Sequence, residues 1–244
     1  MQDSDSFTER DLLRIKALSR LAEALAPADN DTEMVVGSVA LAAHLSPGSY
    51  RVPNDIDIVT RRSADRLFEV INGIAGVRVL SEVTHVPLFT GPSGVHELVL
   101  AIGPSDGRPY DRLACQLSEN WPTCSQGTTV TYRGSAVRVE AIEWVVAHKV
   151  HALLKSRDTP RVSSRIRDLF DLVLTSSHSR LPTAEDIRDI CMSFPEPMTT
   201  RPSRVADEWR VQWRIMWRDT GTDVDLDRAW TWLWDYWNGD LHDV

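Results

Sequence analysis

The chain has 244 residues and a net charge of -8 at neutral pH, with 42% hydrophobic and 25% charged residues. This is the composition of a globular protein with a sizeable core, and it excludes indiscriminate nucleic-acid binding through an overall basic surface. The apolar runs are too short to span a bilayer and the acidic start does not resemble a signal peptide, so we predict a cytoplasmic protein without a membrane segment.

Hydrophobic periodicity in the first part of the chain alternates between helical and strand patterns. In chain order it predicts a helix, a strand, a helix, a strand and a helix at residues 9–25, 34–36, 39–43, 56–59 and 63–73. Further strands are predicted at residues 77–80, 86–89, 95–102, 128–132 and 136–139. We therefore expect residues 1–140 to form an α/β (α+β) core with a mixed sheet.

From residue 141 onward the helical pattern dominates. Helices are predicted at residues 141–156, 163–175, 184–193, 203–218 and 226–237. Two tryptophan rows at helical spacing predict packing within a core rather than a surface for stacking bases, and they comprise Trp209, Trp213, Trp217, Trp230, Trp234 and Trp237. We expect residues 141–244 to form an all-helical subdomain that completes a cleft against the first part.

Two acidic residues stand one residue apart at the start of the second predicted strand. On a strand, this spacing places the carboxylates of Asp55 and Asp57 on the same face, while Ile56 and Ile58 point into the core. Neighbouring carboxylates repel each other unless a cation neutralises them, and Mg²⁺ binds one or two carboxylates together with substrate phosphates. The pair predicts a site for Mg²⁺, or Mn²⁺, beside a bound nucleotide.

The Gly37-Ser38 turn lies between the first strand and the next helix. A helix N-terminus presents backbone N–H groups and the positive end of its dipole, and Ser38 adds a hydroxyl, so the turn suits a phosphate. Together with the carboxylate pair it predicts in-line displacement at the α-phosphate of a nucleoside triphosphate (NTP). Taken alone, Gly37-Ser38 also fits a strand exit whose serine caps the helix.

The order Gly37-Ser38, then Asp55-Ile56-Asp57, resembles the Gly-Ser…Asp-x-Asp signature of the polymerase-β-like nucleotidyltransferase superfamily. Three further features are similar to the AbiEii/AbiGii-type toxins of type IV toxin–antitoxin systems. They are Arg51 upstream of the acidic pair, an acid-then-lysine helix from Glu143 to Lys149, and the run Arg-Asp-Leu-Phe-Asp-Leu from Arg167 to Leu172.

This resemblance implies a metal-dependent nucleotidyltransferase that moves a nucleoside monophosphate from an NTP to an acceptor, often tRNA, with a cognate antitoxin as partner. It implies that the metal is held by Asp55 and Asp57, that the nucleotide is bound by Gly37, Ser38, Arg51, Lys149 and Asp168, and that Asp171 completes the catalytic set. The superfamily often has a third metal-binding carboxylate on a neighbouring strand, and Glu97 is the best local candidate.

Lys149 stands among apolar neighbours on a predicted helix. A lysine there can extend into a cleft and meet a polyphosphate, although a surface lysine is the alternative. Asp168 and Asp171 share one helix face, so one can pair with a nearby cation while the other orients Lys149 or contacts the nucleotide. The alternative for both is a helix cap or a structural salt bridge.

A basic stripe runs from Lys149 to Arg167. Six positive residues, namely Lys149, Lys155, Arg157, Arg161, Arg165 and Arg167, stand against Asp158 alone. Such a stripe suits the phosphates of an RNA acceptor, although a solvated helix face has the same composition.

Other functions stay open at this point. A nucleotidyltransferase that modifies a small hydroxylated molecule, such as an antibiotic, or a protein side chain does not need the basic stripe. A catalytically inactive module that binds nucleotide or RNA is an alternative of another class. The three cysteines, Cys115, Cys124 and Cys191, show no metal-ligand spacing and are predicted to be buried and reduced.

Overall fold

The computed structural model describes residues 8–29, 32–45, 51–61, 63–85, 94–103, 111–119, 126–155, 165–179, 181–198, 207–218 and 224–240. The chain divides into two compact units, Met1–Ala141 and Ile142–Val244. No helix within the described ranges has both the length and the apolar character needed to cross a membrane.

The first unit contains a mixed seven-stranded sheet with the strand order β3-β4-β5-β2-β1-β7-β6. Its described elements are α1 (Glu9–Leu25), β1 (Glu33–Val36), α2 (Gly37–His44), β2 (Asp55–Thr60), α3 (Asp65–Gly73), β3 (Val77–His85), β4 (Val95–Ile102), β5 (Asp111–Ser118), β6 (Gly127–Tyr132) and β7 (Ser135–Glu140). β1 pairs antiparallel with β2, whereas β2 pairs parallel with β5 and β1 parallel with β7. The prediction of a mixed sheet with helices is confirmed.

The two faces of this sheet differ in their side chains. One face, called here the buried face, is apolar and includes Ile56, Ile58, Leu98, Leu100, Leu113, Cys115 and Leu117. α1 and α3 pack on it, as shown by the edge-to-face contact of Phe68 in α3 with His96 in β4. The opposite face carries Asp55 and Asp57 and is called here the aspartate face; α2 begins beside Asp57 and contacts β1, β2, β6 and β7.

β5 was not among the strands expected from the sequence. Its buried residues Leu113, Cys115 and Leu117 alternate with Arg112, Ala114 and Gln116. That alternation is the signal of a half-buried strand, and it was present in the sequence. The predicted strand at residues 86–89 lies outside the described residues.

An ion-pair cluster joins α1 to the start of β5. Asp111 is buried and accepts hydrogen bonds from Arg10, at 2.6 Å, and from Arg14. Arg14 also donates to Asn54 Oδ1 at 2.6 Å, one residue before Asp55. The hydrogen bond from Arg10, supported by the N–H of Arg112 and the charge of Arg14, lowers the pKa of Asp111 to about 2. α1 is therefore tied to the start of β5 and to the residue directly before the aspartate pair of β2.

The described elements of the second unit are five helices: α4 (Ile142–Leu154), α5 (Ile166–His178), α6 (Ala184–Met192), α7 (Asp207–Arg218) and α8 (Leu226–Asn238). Trp209 of α7 contacts Trp230 of α8 with ring centroids 5.8 Å apart. Trp213 and Trp217 instead pack on Phe170 of α5, at 6.0 and 4.7 Å. Five of the six tryptophans in the two rows are buried and Trp237 is half-buried. We expected the two rows to pack on each other, and Trp213 and Trp217 pack on α5 instead. The predicted boundary at residue 140 and the predicted cleft stay predictions.

We expect Asp111→Asn to lower the free energy of unfolding at neutral pH by about 3 kcal/mol, because it removes the shared partner of two arginines. The folded carboxyl has a lowered pKa of about 2, and the unfolded one titrates near pH ~4. The stabilisation is therefore present above that unfolded pKa and lost as the pH falls to the folded pKa. Urea denaturation at several pH values in this range should show that the difference in free energy of unfolding between variant and wild type decreases as the pH falls.

Asp65→Asn is the matched control, since Asp65 is an exposed carboxylate at the start of α3. It should change stability little at any pH. A penalty for Asp111→Asn that stays constant as the pH falls would contradict the assigned ion pairs.

Candidate active site

The aspartate pair lies at the beginning of β2. Asp55 pairs with Ala114 of β5, and Asp57 pairs with Gln116 of β5 and Val36 of β1. Both aspartates are half-buried, whereas Ile56 next to them is fully buried. The structure thus places two carboxylates on one face of the sheet, partly open to solvent.

The turn between β1 and α2 lies directly against Asp57. Gly37 has a φ of 69°, and a Cβ at this position would lie 2.8 Å from Asp57 Oδ2. Both the positive φ and the lack of space require glycine here. The backbone at the start of α2 is consequently held next to a carboxylate of the predicted metal pair.

Ser38 does not cap α2. The N-cap is Val36, and no side chain makes a cap hydrogen bond there. The Ser38 hydroxyl instead accepts a hydrogen bond from the Arg51 guanidinium at 3.2 Å. The structure therefore brings Gly37, Ser38, Arg51 and Asp57 together at one end of β1 and β2.

Glu97 lies apart from the pair. β5 separates β4 from β2, so that Glu97 pairs with Gln116, which in turn pairs with Asp57. Among the described residues, no three His, Cys, Asp or Glu side chains are grouped so that they could bind a metal. That Glu97 binds the metal stays a prediction. Its position two strands away from the aspartate pair does not support that role. The neighbouring-strand position belongs to Gln116, which was missed together with β5.

A second cluster joins α4 and α5. Lys149 Nζ donates to Asp168 Oδ1 at 3.0 Å and to Asp171 Oδ2 at 2.8 Å. Arg165 donates to the other oxygen of Asp168 at 3.1 Å. Lys149 is 6% exposed and Asp171 is fully buried, so the alternative of a surface lysine is wrong. Asp168 pairs with Lys149 and Arg165, and pairing with a nearby cation was one of the roles predicted for it.

The two clusters belong to different units, the aspartate pair to the first and Lys149 with its partners to the second. A single site that combines them stays a prediction.

Most described cations of the basic stripe are paired with carboxylates. Lys149 and Arg165 contact Asp168, and Lys155 contacts Glu196 at 3.1 Å. Arg167 is exposed, while Arg157 and Arg161 lie outside the described residues. The stripe therefore offers less unbalanced positive charge than its sequence indicates.

The described cysteines are poor nucleophiles. Cys115 and Cys191 are buried and free. Burial raises the pKa of both thiols, to about 12 for Cys191, and the nearby charge of Asp57 raises that of Cys115 further. Thiolate chemistry at neutral pH is therefore disfavoured at these two positions. Cys124 lies outside the described residues.

We expect Gly37→Ala to lower the free energy of unfolding by about 2 kcal/mol, because alanine at positive φ is strained and its Cβ would displace the Asp57 carboxylate. Gly73→Ala is the matched control: a Cβ on Gly73 in α3 meets no atom within 4 Å, and we expect its effect to stay within about 1 kcal/mol. Urea denaturation compares the two. Equal stability of both variants would contradict the close contact between the turn and Asp57.

The family model of the nucleotidyl transferase AbiEii toxin, from type IV toxin–antitoxin systems, matches residues 20–236. No curated protein matches the chain.

Two solved structures from Helicobacter pylori have a similar fold. A protein assigned as a nucleotidyltransferase is 19% identical with a TM-score of 0.58, and the match covers 93% of this chain and 92% of that one. JHP933 is 19% identical with a TM-score of 0.57, covering 93% of this chain and 90% of the other. Identities this low establish the fold alone. The family match, however, spans most of the chain and includes both clusters, so the chain belongs to the AbiEii family of nucleotidyltransferase toxins, as its motifs predicted.

Proposed function

We propose that this protein uses a divalent metal ion to transfer a nucleoside monophosphate from an NTP to an RNA acceptor, tRNA in particular, and that this transfer is its toxic activity. The observation that carries the proposal is the contact of the Gly37 turn with Asp57. It puts the N-terminus of α2, which suits phosphate, next to carboxylates that suit a metal ion.

The aspartate pair fits Mg²⁺ or Mn²⁺. Asp55 and Asp57 supply hard oxygen ligands on one face of β2 and stay partly exposed. Two protein carboxylates are what such an ion needs when nucleotide phosphates and water complete its coordination. The ion, when bound, supplies positive charge that stabilises the attacking and leaving oxygens.

The protein side chains divide the remaining tasks. The first-turn N–H groups of α2 and the Ser38 hydroxyl bind the polyphosphate, and Arg51, which donates to Ser38, adds a cation beside it. In the reaction, the deprotonated oxygen of an acceptor hydroxyl bonds to the α-phosphorus. The bond from that phosphorus to the bridging oxygen of the β-phosphate breaks, and pyrophosphate leaves.

Lys149 has a role of its own in this proposal. It provides a point charge for the polyphosphate, and Asp168 and Asp171 fix the position of its ammonium group. Asp171 thus completes the site through Lys149, while Asp168 links Lys149 to Arg165.

The antitoxin and the location of the protein also belong to the proposal. Membership of a type IV toxin–antitoxin family implies a cognate antitoxin as partner. A cytoplasmic location fits a reaction that consumes NTP.

One observation favours the alternative acceptor. Three cations of the stripe, Lys149, Lys155 and Arg165, are balanced by carboxylates, so the stripe supports an RNA acceptor less than its charge count suggests. A small hydroxylated acceptor is therefore included in the test.

The test incubates the protein with each α-labelled NTP, Mg²⁺, and either tRNA or a hydroxylated antibiotic. We expect label on tRNA with the wild type and with the surface control Asp65→Asn. Asp57→Asn should reduce the labelling of tRNA by about 100-fold or more. Removing a residue that only hydrogen-bonds to a metal ligand already costs up to about 100-fold, and Asp57 is proposed as a ligand itself. Equal labelling by Asp57→Asn would refute the metal-pair mechanism, and label on the antibiotic alone would refute the RNA acceptor.

Lys149 is tested by separating its charge from its structural role. Lys149→Met should destabilise the second unit, because Asp171 is left buried without its cation. In Lys149→Met/Asp171→Asn that charge is also removed, so stability should return towards that of Asp171→Asn alone. The KM of the double variant for NTP should nevertheless stay about tenfold above that of Asp171→Asn, which corresponds to the loss of roughly 1.4 kcal/mol of phosphate binding.

The comparison uses urea denaturation for stability and initial rates for KM. If the double variant recovers the KM of Asp171→Asn together with its stability, then Lys149 only holds α4 to α5 and does not bind the nucleotide.

A further inference from the structure

The aspartate face extends beyond the metal pair across three more strands. Directly paired residues of neighbouring strands project to the same side of a sheet. The row through Asp57 continues with Gln116, Glu97 and Val83, and the row through Asp55 continues with Ala114, Val99 and Ser81. A third row, two residues further along β5, consists of Arg112, Ala101 and Arg78.

Much of this part of the aspartate face is exposed. Its exposed side chains are Arg78, Ser81, Val83, Glu97, Arg112 and Ala114, whereas Gln116 and Val99 are half-buried and Ala101 is buried. Val83 is 52% exposed, although it is a large aliphatic residue within a sheet. On the buried face, β4 and β5 are covered, since Leu98, Leu100 and Leu113 are at most 2% exposed. The edge strand β3 is exposed on both faces at residues 80–84. The open surface on β5, β4 and β3, here called the platform, begins at the aspartate pair.

Two arginines mark one end of the platform. Arg112 and Arg78 both pair with Ala101, so their Cα atoms lie two strand spacings, about 10 Å, apart. Within the described part of the chain neither guanidinium forms an ion pair, in contrast to the paired cations of the basic stripe. Arg112 lies two residues, about 6.6 Å, along β5 from Ala114, the partner of Asp55. Its positive charge is therefore close to the metal pair.

The charge pattern selects the class of acceptor. Guanidinium groups bind phosphates through paired hydrogen bonds, so two exposed arginines suit a phosphodiester backbone. Glu97 and the two aspartates on the same face are acidic, so the preference for phosphate belongs to the arginine end of the platform. Next to the arginine row, towards the aspartates, stand the exposed Ala114 and the half-buried Val99, while Ala101 is buried between the two arginines. None of these three side chains is large enough to block a ribose–phosphate chain. The platform is only about 10 Å wide from β5 to β3, so it holds the end of an RNA chain rather than a long stretch of it.

We propose that the platform binds the single-stranded 3′ end of the RNA acceptor. Arg112 and Arg78 contact its backbone phosphates, and its terminal hydroxyl reaches the site at Asp55 and Asp57. This assignment rests on the proposed function and names where its acceptor binds.

The test uses Arg78→Ala/Arg112→Ala and, as a control of equal charge change, Arg66→Ala/Arg214→Ala. Arg66 is exposed on α3, the helix that packs on the buried face, and Arg214 is exposed on α7. The first readout is the KM for tRNA and for a short single-stranded RNA, beside the KM for NTP. The platform variant loses two phosphate contacts, each worth about tenfold or roughly 1.4 kcal/mol. We therefore expect the KM for both RNAs to rise by about 100-fold and the KM for NTP to stay unchanged. The control should change none of them.

The second readout is the salt dependence of RNA binding without NTP, measured by fluorescence anisotropy with a labelled single-stranded oligomer. Each phosphate contact to a single strand contributes about 0.7 to the slope of log K against log salt, so the platform variant should lose about 1.4. The control pair should keep the wild-type slope.

The possible failures are distinguishable. If transfer to RNA depends on Asp57 but the platform variant matches the control in both readouts, the platform is wrong and the proposed function stands. If the wild type labels only a small molecule or a protein, both are wrong. If a blunt duplex binds as tightly as the single strand, with the same dependence on Arg78 and Arg112, the assignment to a single-stranded end is wrong.

Discussion

The contact between the Gly37 backbone and the Asp57 carboxylate is the constraint on which the candidate site depends. It exists because β1 pairs antiparallel with β2, so that Val36 at the end of β1 stands opposite Asp57 near the start of β2. The chain must turn into α2 at that point, and only a residue without Cβ can do so at positive φ with the carboxylate 2.8 Å from the missing atom. One sheet pairing thus places a helix N-terminus beside two carboxylates, which is the arrangement that binding a metal–nucleotide complex requires.

The rest of the first unit holds that pairing in place. Ile56 and Ile58 are fully buried on the face that α1 covers, which fixes the direction of the aspartates through the alternation of the strand. The buried Asp111, with its lowered pKa, binds Arg14, and Arg14 also holds Asn54 immediately before Asp55. Packing on the buried face therefore holds the aspartates of the other face in position. The same sheet carries the platform with its two arginines on β5, β4 and β3.

The parts of the fold and site that follow local rules were predictable. Helical spacing gave α1 its bounds at Glu9–Leu25, and the one-residue spacing of Asp55 and Asp57 placed both on one face. What depends on pairing between distant strands was not predictable. β5 inserts between β2 and β4, which moves Glu97 away and brings Gln116 and Arg112 near the pair. Charge counting also failed for the stripe, because the count ended at Arg167 and so left out Asp168, which pairs with Lys149 and Arg165. The partner of Lys155, Glu196, comes from a later segment of the second unit.

Anomalous diffraction from crystals grown with Mn²⁺ and a non-hydrolysable NTP analogue tests the central claim most directly. The account predicts an anomalous peak at the carboxylates of Asp55 and Asp57, with the polyphosphate against Gly37 and Ser38. Mn²⁺ bound away from both aspartates, or a polyphosphate bound away from the start of α2, would contradict it.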